Sequence, residues 1–268
     1  MNKLTESSEP YLTGMGLRNR CHLIYDEFQQ DPPEYIQNNG DVAFVKTDAI
    51  HHFFAKVVPL IKYKFKLITH NSSYPIDANR AKYINNSKLI EWYAQNVNVT
   101  HPKLQSIPLS IMNARWDCGD VKTIEKIKNQ SVQKKHLLYC NFNPSTNPTA
   151  RNSVLNIFKN QSFVFSPARK SFEEYLTDLK SSYFVLSPNG SGVDCHRLWE
   201  TLIMGSIPIV ENSINISFYK HLPILIVDDW NKVNLNFLIE NISAIKPKIP
   251  EECYIDFWVK KIGLNKIE

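Results

Sequence analysis

One stretch, SPNGSGVDCHRLWETLIMGSIPIV at residues 187–210, concentrates groups able to do chemistry on a charged ligand. It lies between two apolar runs, YFVLS and IPIV, and carries a glycine-bearing loop, an Asp-x-His-Arg cluster and a glutamate. Backbone N–H groups of such a loop, followed by the positive end of a helix beginning near Asp194, can hold a phosphate. Arg197 can add a charge-assisted contact to it. Glu200 lies three residues on, on nearly the same helical face, where its carboxylate can accept hydrogen bonds from two vicinal hydroxyls of a ribose. Phosphate plus ribose is a nucleotide. The competing reading is that Asp194 only caps the helix while Arg197 and Glu200 form an ordinary surface pair worth about 0.2–0.5 kcal/mol. These residues alone leave both readings open.

The elements that must position this stretch follow from periodicity. RCHLIYDEF reads as a strand ending at carboxylates, and GDVAFVKTDAIHHFFAKVVPLI as a strand and then a helix. KFKLITHNSSYPID gives a strand and a polar loop, SKLIEWYAQNVN an amphipathic helix with Ser87 as N-cap, and KLQSIPLSI a strand. The polar stretch at residues 118–135 reads as the connection between two lobes. The alternation then restarts: HLLYCNF, FVFS, YFVLS, IPIV and LPILIVDDW as strands, with helices between them, and NKVNLNFLIENI and EECYIDFWVKKIG as closing helices. Alternating strands and helices predict parallel sheets covered on both faces. Gly14-Met15-Gly16 precedes a strand and lacks a third glycine, so it reads as a loop and not as a dinucleotide fingerprint.

Composition removes several function classes. The net charge of +5 suits an anionic ligand, but no Lys/Arg block or basic–aromatic module marks a nucleic-acid binder. The five cysteines are scattered without a Cys-x-x-Cys pair, which argues against a zinc or redox centre and for reduced thiols. There is no apolar run long enough for a signal peptide or a membrane span. The expectation is a cytoplasmic protein with no membrane insertion; the sequons at Asn71, Asn98 and Asn189 would then stay unmodified.

The carboxyl-terminal half resembles the exostosin-type glycosyltransferases, whose signature corresponds here to LSPNG, RLWE and GSIPIV, preceded by YLTDLKSS. The likeness is specific over residues 175–230 and looser elsewhere. It implies an α/β GT-B architecture: two Rossmann-like lobes with parallel sheets and an intervening cleft. The lobes would be residues 1–130 on the acceptor side and 131–250 for the nucleotide-sugar, with a helix at 251–268 packing back on the first. It also implies a UDP-sugar donor, an oligosaccharide or glycan acceptor, and inversion at the anomeric carbon. By that resemblance Glu200 holds the ribose, and Arg197 with Ser187, Ser191, Gly192, Val193 and Asp194 the diphosphate and sugar. Arg151 is a second phosphate contact or a surface arginine, and Ser166 and Pro167 stand where such a lobe holds the base.

An inverting transfer needs a general base and a counter-charge for the departing nucleoside diphosphate. With no Asp-x-Asp motif, no metal or other cofactor is expected, the leaving charge being met by a helix terminus and side-chain cations. For the base, THNSSYPID offers Asp77, then His70, with Ser73 at the position where relatives carry an acid; Asp26, Glu27 and Asp48 are further options. Asp77 can equally cap a turn and His70 can be a satisfied core histidine. Trp92, Tyr93 and Trp116 are candidates for an acceptor platform or for the core. Among donors UDP-xylose is a guess from the chain's compactness. The rival functions are a GDP-sugar transferase such as a fucosyltransferase, an epimerase, and a nucleotide-sugar or glycan-binding module that has lost its base.

Overall fold

A computed structural model describes residues 8–168 and 170–264; the outer ends of the expected first lobe and closing helix, 1–7 and 265–268, lie outside the described residues. The chain forms two Rossmann-like lobes, each built on a five-stranded, wholly parallel sheet. The first sheet runs β1 (Leu23–Tyr25), β2 (Val42–Lys46), β3 (Phe65–His70), β4 (Leu89–Ala94) and β5 (Leu104–Ser106) in simple sequential order. Its strands alternate: Ala43, Val45 and Leu67 face the chain's own connections, including Phe53, Val57 and Ile84. Val42, Phe44 and Ile68 face Leu12 and Leu17 near the start and Trp258, Val259 and Ile262 of the helix Ile255–Ile262. A sheet wound in one direction puts its crossovers on one face, so the other face needs these terminal segments as a cover.

In the second lobe, β6 (His136–Tyr139), β7 (Val164–Phe165), β8 (Ser182–Leu186), β9 (Ile207–Glu211) and β10 (Leu225–Val227) stand in the order β10-β9-β8-β6-β7. The winding direction reverses between β6 and β8. At such a switch point the loops leaving adjacent strands diverge and open a crevice at the carboxyl ends. The loops that diverge here are residues 140–147 after β6 and 187–195 after β8.

Three readings of local structure are corrected. Residues 87–98 contain strand β4, not an amphipathic helix. The register shifts there, with Phe65 opposite Leu89 but Leu67 opposite Trp92, so β4 carries one extra residue. That bulge spaces two core-facing residues three apart, which mimics helical periodicity. The polar connection contains the helix Val121–Asn129, which packs Ile124 and Ile127 against Leu176 and Leu179 of the second lobe, so the expected division at 130/131 falls after an element that packs with that lobe. Gly14-Met15-Gly16 opens a short helix, Gly14–Arg18, whose N-cap Thr13 accepts from the Gly16 N–H. Gly14 is required by close approach, because a Cβ there would stand 1.9 Å from Asn71 Oδ1 and 2.5 Å from His70 Nδ1.

Candidate active site

A cleft of about 930 Å³ separates the lobes, lined by the loops after β3 and β5 on one side and those after β6 and β8 on the other. Polar struts fix the lobes about it. Asp194 Oδ2 accepts from the Leu109 N–H at 2.7 Å, and the Asp194 N–H donates to Asn96 Oδ1 at 3.0 Å. Asn215 Oδ1 accepts from the Val97 N–H and from Ser106 Oγ, both at 2.9 Å. Because these groups are buried, each bond carries the full cost of leaving its partner unmatched.

The glycine loop is braced from behind. Arg151 is buried and donates to the carbonyls of Asn189 (3.0 Å), Asn143 (2.8 Å) and Pro188 (3.3 Å), tying the two diverging loops together. A Cβ at Gly190 would stand 2.9 Å from Arg151, and one at Gly192 2.5 Å from the Asn96 amide. Ser191 Oγ donates to the Thr146 carbonyl at 3.3 Å. The loop's shape is therefore set before any ligand arrives.

After the loop comes the helix His196–Ile203, whose N-cap, Cys195, supplies no side-chain acceptor. The first-turn N–H groups of His196 and Arg197 have no partner among the described residues, and a helix terminus in that state attracts an anion. Arg197 lies against the Phe142 ring, 5.5 Å from its centroid, and its buried Nε has no hydrogen-bond partner among the described residues. One turn on, buried Glu200 accepts from Tyr175 Oη at 2.7 Å through Oε2. Burial pushes the Glu200 carboxyl up, and the Tyr175 bond and the Arg197 charge act against it. No salt bridge joins Arg197 to Glu200 among the described residues, so they are not the ordinary surface pair of the competing reading. Both line the cleft.

Asp194 is committed elsewhere. Besides Leu109 it accepts from the Cys195 N–H at 2.8 Å and from Trp199 Nε1 at 2.9 and 3.0 Å, and burial raises its carboxyl to about 6 against those donors. It lines the cleft as a fully bonded strut between lobes. Ser187 is buried with Oγ unpartnered, and neither it nor Val193 lines the cleft. Ser166 and Pro167 also stand outside the lining: Ser166 Oγ donates to the Cys140 carbonyl and the Pro167 carbonyl accepts from Asn141. The residues beside them that do line it are Asn141, Lys170 and Phe172.

On the first lobe, His70 and Ser73 line the cleft and Asp77 does not. Asp77 is the N-cap of the helix Ala78–Ala81 and pairs with Arg80 at 3.2 Å. His70 is satisfied at both ring nitrogens, Nε2 donating to the Pro108 carbonyl (3.0 Å) and Nδ1 accepting from the Asn71 N–H (2.8 Å). Asp26 is paired with Arg18 and Glu27 with Lys46, and neither they nor Asp48 reach the lining. Trp92 and Tyr93 are core residues of β4, whereas Trp116 is 56 % exposed at the cleft, with Arg115 stacked on it. Among the described residues the only carboxylates lining the cleft are Asp194 and Glu200, both from the second lobe.

Residues 121–249 match the family model of the RXYLT1 C-terminal domain. That family is xylosyltransferase-related and exostosin-like among the glycosyltransferases. The matched segment begins at the helix Val121–Asn129 and takes in the second lobe with Arg151, Arg197 and Glu200. No curated protein matches the chain.

Sequence reasoning missed Phe142, Tyr175 and His196. Phe142 lies three residues past the end of β6, and Tyr175 follows the capping box of the helix Phe172–Lys180. Position after a strand end is a usable signal for the first. Only the tertiary contact with Glu200 distinguishes the second. His196 was visible in the Asp-x-His-Arg cluster, but its tautomer depends on a carbonyl 86 residues away.

Proposed function

We propose that this protein is a glycosyltransferase of GT-B type that moves a sugar, xylose by preference, from a UDP-sugar to a hydroxyl of a glycan, with inversion and without a catalytic metal. The observation that carries the reading is Arg197: a cation with a buried, unpartnered Nε, at an uncapped helix terminus, one turn from a cleft carboxylate. A diphosphate would satisfy both Arg197 and the free N–H groups, and a ribose would use Glu200. The match to a xylosyltransferase-related family supports the transferred group. Metal independence is part of the proposal because Arg197 and the helix N–H groups would themselves meet the charge of the leaving diphosphate. On the acceptor side, Trp116 with Arg115 offers an exposed face for a sugar ring.

A thermal-shift screen of UDP, GDP and their sugars tests the reading, since a ligand that binds only the folded state raises its melting temperature. UDP-sugars should stabilise the protein and GDP-sugars should not. Transfer should persist in excess chelator, and the product should carry the anomer opposite to the donor's. Stabilisation by GDP-fucose alone would replace this reading with a fucosyltransferase. UDP binding with no release of UDP from any UDP-sugar would leave a binding module, a reading that the lack of a free first-lobe carboxylate in the cleft keeps specific.

A further inference from the structure

Among the described residues the cleft is lined by two histidines, His70 and His196, and by no carboxylate from the first lobe. Three consecutive residues after β5 organise its centre. The Pro108 carbonyl accepts from His70 Nε2, the Leu109 N–H donates to Asp194 Oδ2, and the Ser110 carbonyl accepts from His196 Nδ1 at 2.6 Å. Ser110 has φ 54, the left-handed region that a residue with a Cβ avoids, and its Oγ is buried without a partner. Strain of this kind persists where surrounding contacts over-determine a geometry, as at functional sites.

A carbonyl oxygen only accepts, so each contact assigns a tautomer. His70 carries its proton on Nε2, and its Nδ1 already accepts from Asn71, which leaves no free nitrogen. His196 carries its proton on Nδ1. Its Nε2 is then an acceptor, and it has no partner among the described residues in a side chain that lines the cleft directly before Arg197.

We infer that His196 is the general base of glycosyl transfer, an inference that rests on the function proposed above. The acceptor hydroxyl gives its proton to His196 Nε2 as its oxygen lone pair forms the bond to the anomeric carbon. The bond from that carbon to the diphosphate oxygen breaks, and its electron pair leaves on UDP. The Ser110 carbonyl holds the Nδ1–H and stabilises the imidazolium, which returns its proton to solvent after the product departs.

The electrostatic setting ties the base to the donor. Burial lowers the imidazole to about 4; the Ser110 carbonyl opposes this, and the neighbouring His70 and Arg197 add to the lowering. Asp194, two residues before, has its carboxylate engaged by Leu109, Cys195 and Trp199. A diphosphate bound at Arg197 would offset that cation's contribution, the smallest of those acting on the imidazole, while burial remains the largest.

The test uses the full chain, the UDP-sugar giving the largest shift in the screen, and water and methyl glycosides as acceptors. His196→Asn keeps a nitrogen donor where Nδ1 meets the Ser110 carbonyl and removes Nε2; His196→Gln, made alongside, places an amide nearer Nε2. In both, UDP release should fall 10²–10⁴-fold while UDP affinity by calorimetry stays within about threefold. The acid limb of the wild-type kcat/KM profile should disappear from the residual activity. UDP release at the wild-type rate in His196→Asn would overturn the inference. Loss of UDP affinity in step with rate would make His196 a positioning residue of the donor site and would overturn it too. Wild-type protein that binds no UDP would instead remove the glycosyl-transfer reading, and calorimetry on the unaltered chain reports that separately.

Discussion

Replacing Arg197 by methionine separates a residue kept for a ligand from one kept for the fold. In the free protein the guanidinium has a buried Nε without a partner, no salt bridge among the described residues, and one ring contact, to Phe142 at 5.5 Å. An unsatisfied buried donor costs about 1–3 kcal/mol, and a cation–π contact returns about 0.5–2 kcal/mol depending on its desolvation. Methionine keeps an unbranched apolar stem against Phe142. The balance spans a free protein from about 1 kcal/mol less stable to about 2.5 kcal/mol more stable than the parent, and in a chain of this size each kcal/mol moves Tm by about 2–4 °C. UDP should lose a charge-assisted contact worth about 1.5–3 kcal/mol, close to 10- to 150-fold in Kd, while uridine, lacking phosphate, should bind as before. Scanning calorimetry gives the first quantity and titration calorimetry the second. A variant that melts several degrees lower and binds UDP unchanged would refute the reasoning, because Arg197 would then be holding the fold together.

Glu200→Ala should weaken UDP and uridine equally, by about 1–3 kcal/mol, since the ribose is common to both; titration calorimetry reads the ratio, and a loss confined to UDP would move the ribose elsewhere. Gly192→Ala drives a Cβ to 2.5 Å from the Asn96 amide that receives the Asp194 N–H, and should cost about 1–3 kcal/mol in urea melts together with UDP affinity. Asp77→Asn keeps an N-cap acceptor on a helix outside the cleft and should leave turnover within about twofold in a UDP-release assay. For His196, whose folded value of about 4 lies below the ordinary 6.5, the neutral form favours folding above pH 6.5 and that contribution is lost as pH falls towards 4. The stability of His196→Asn relative to the parent should therefore rise across that window in urea melts, and a constant difference would contradict the assigned burial.

The sequence by itself determined the second lobe. Strict alternation of YFVLS and IPIV with the amphipathic helix between them is local, and local periodicity survives without knowledge of partners. The loop, Arg197 and Glu200 come next in the chain, at the carboxyl end of β8, where an open parallel sheet offers its crevice. The first lobe was less legible where tertiary structure intervenes: the bulge in β4 respaces Leu89 and Trp92, and a sheet wound one way borrows its second cover from both ends of the chain. What only the fold decided was commitment. Asp194, His70 and Arg151 have the types a nucleotide site would use, yet contacts with Leu109, Pro108 and Asn189 consume their hydrogen bonds. Arg197 and His196 retain free groups. Whether a polar side chain is spent or available depends on partners 38 to 86 residues away, and residue type and spacing carry no information about that distance.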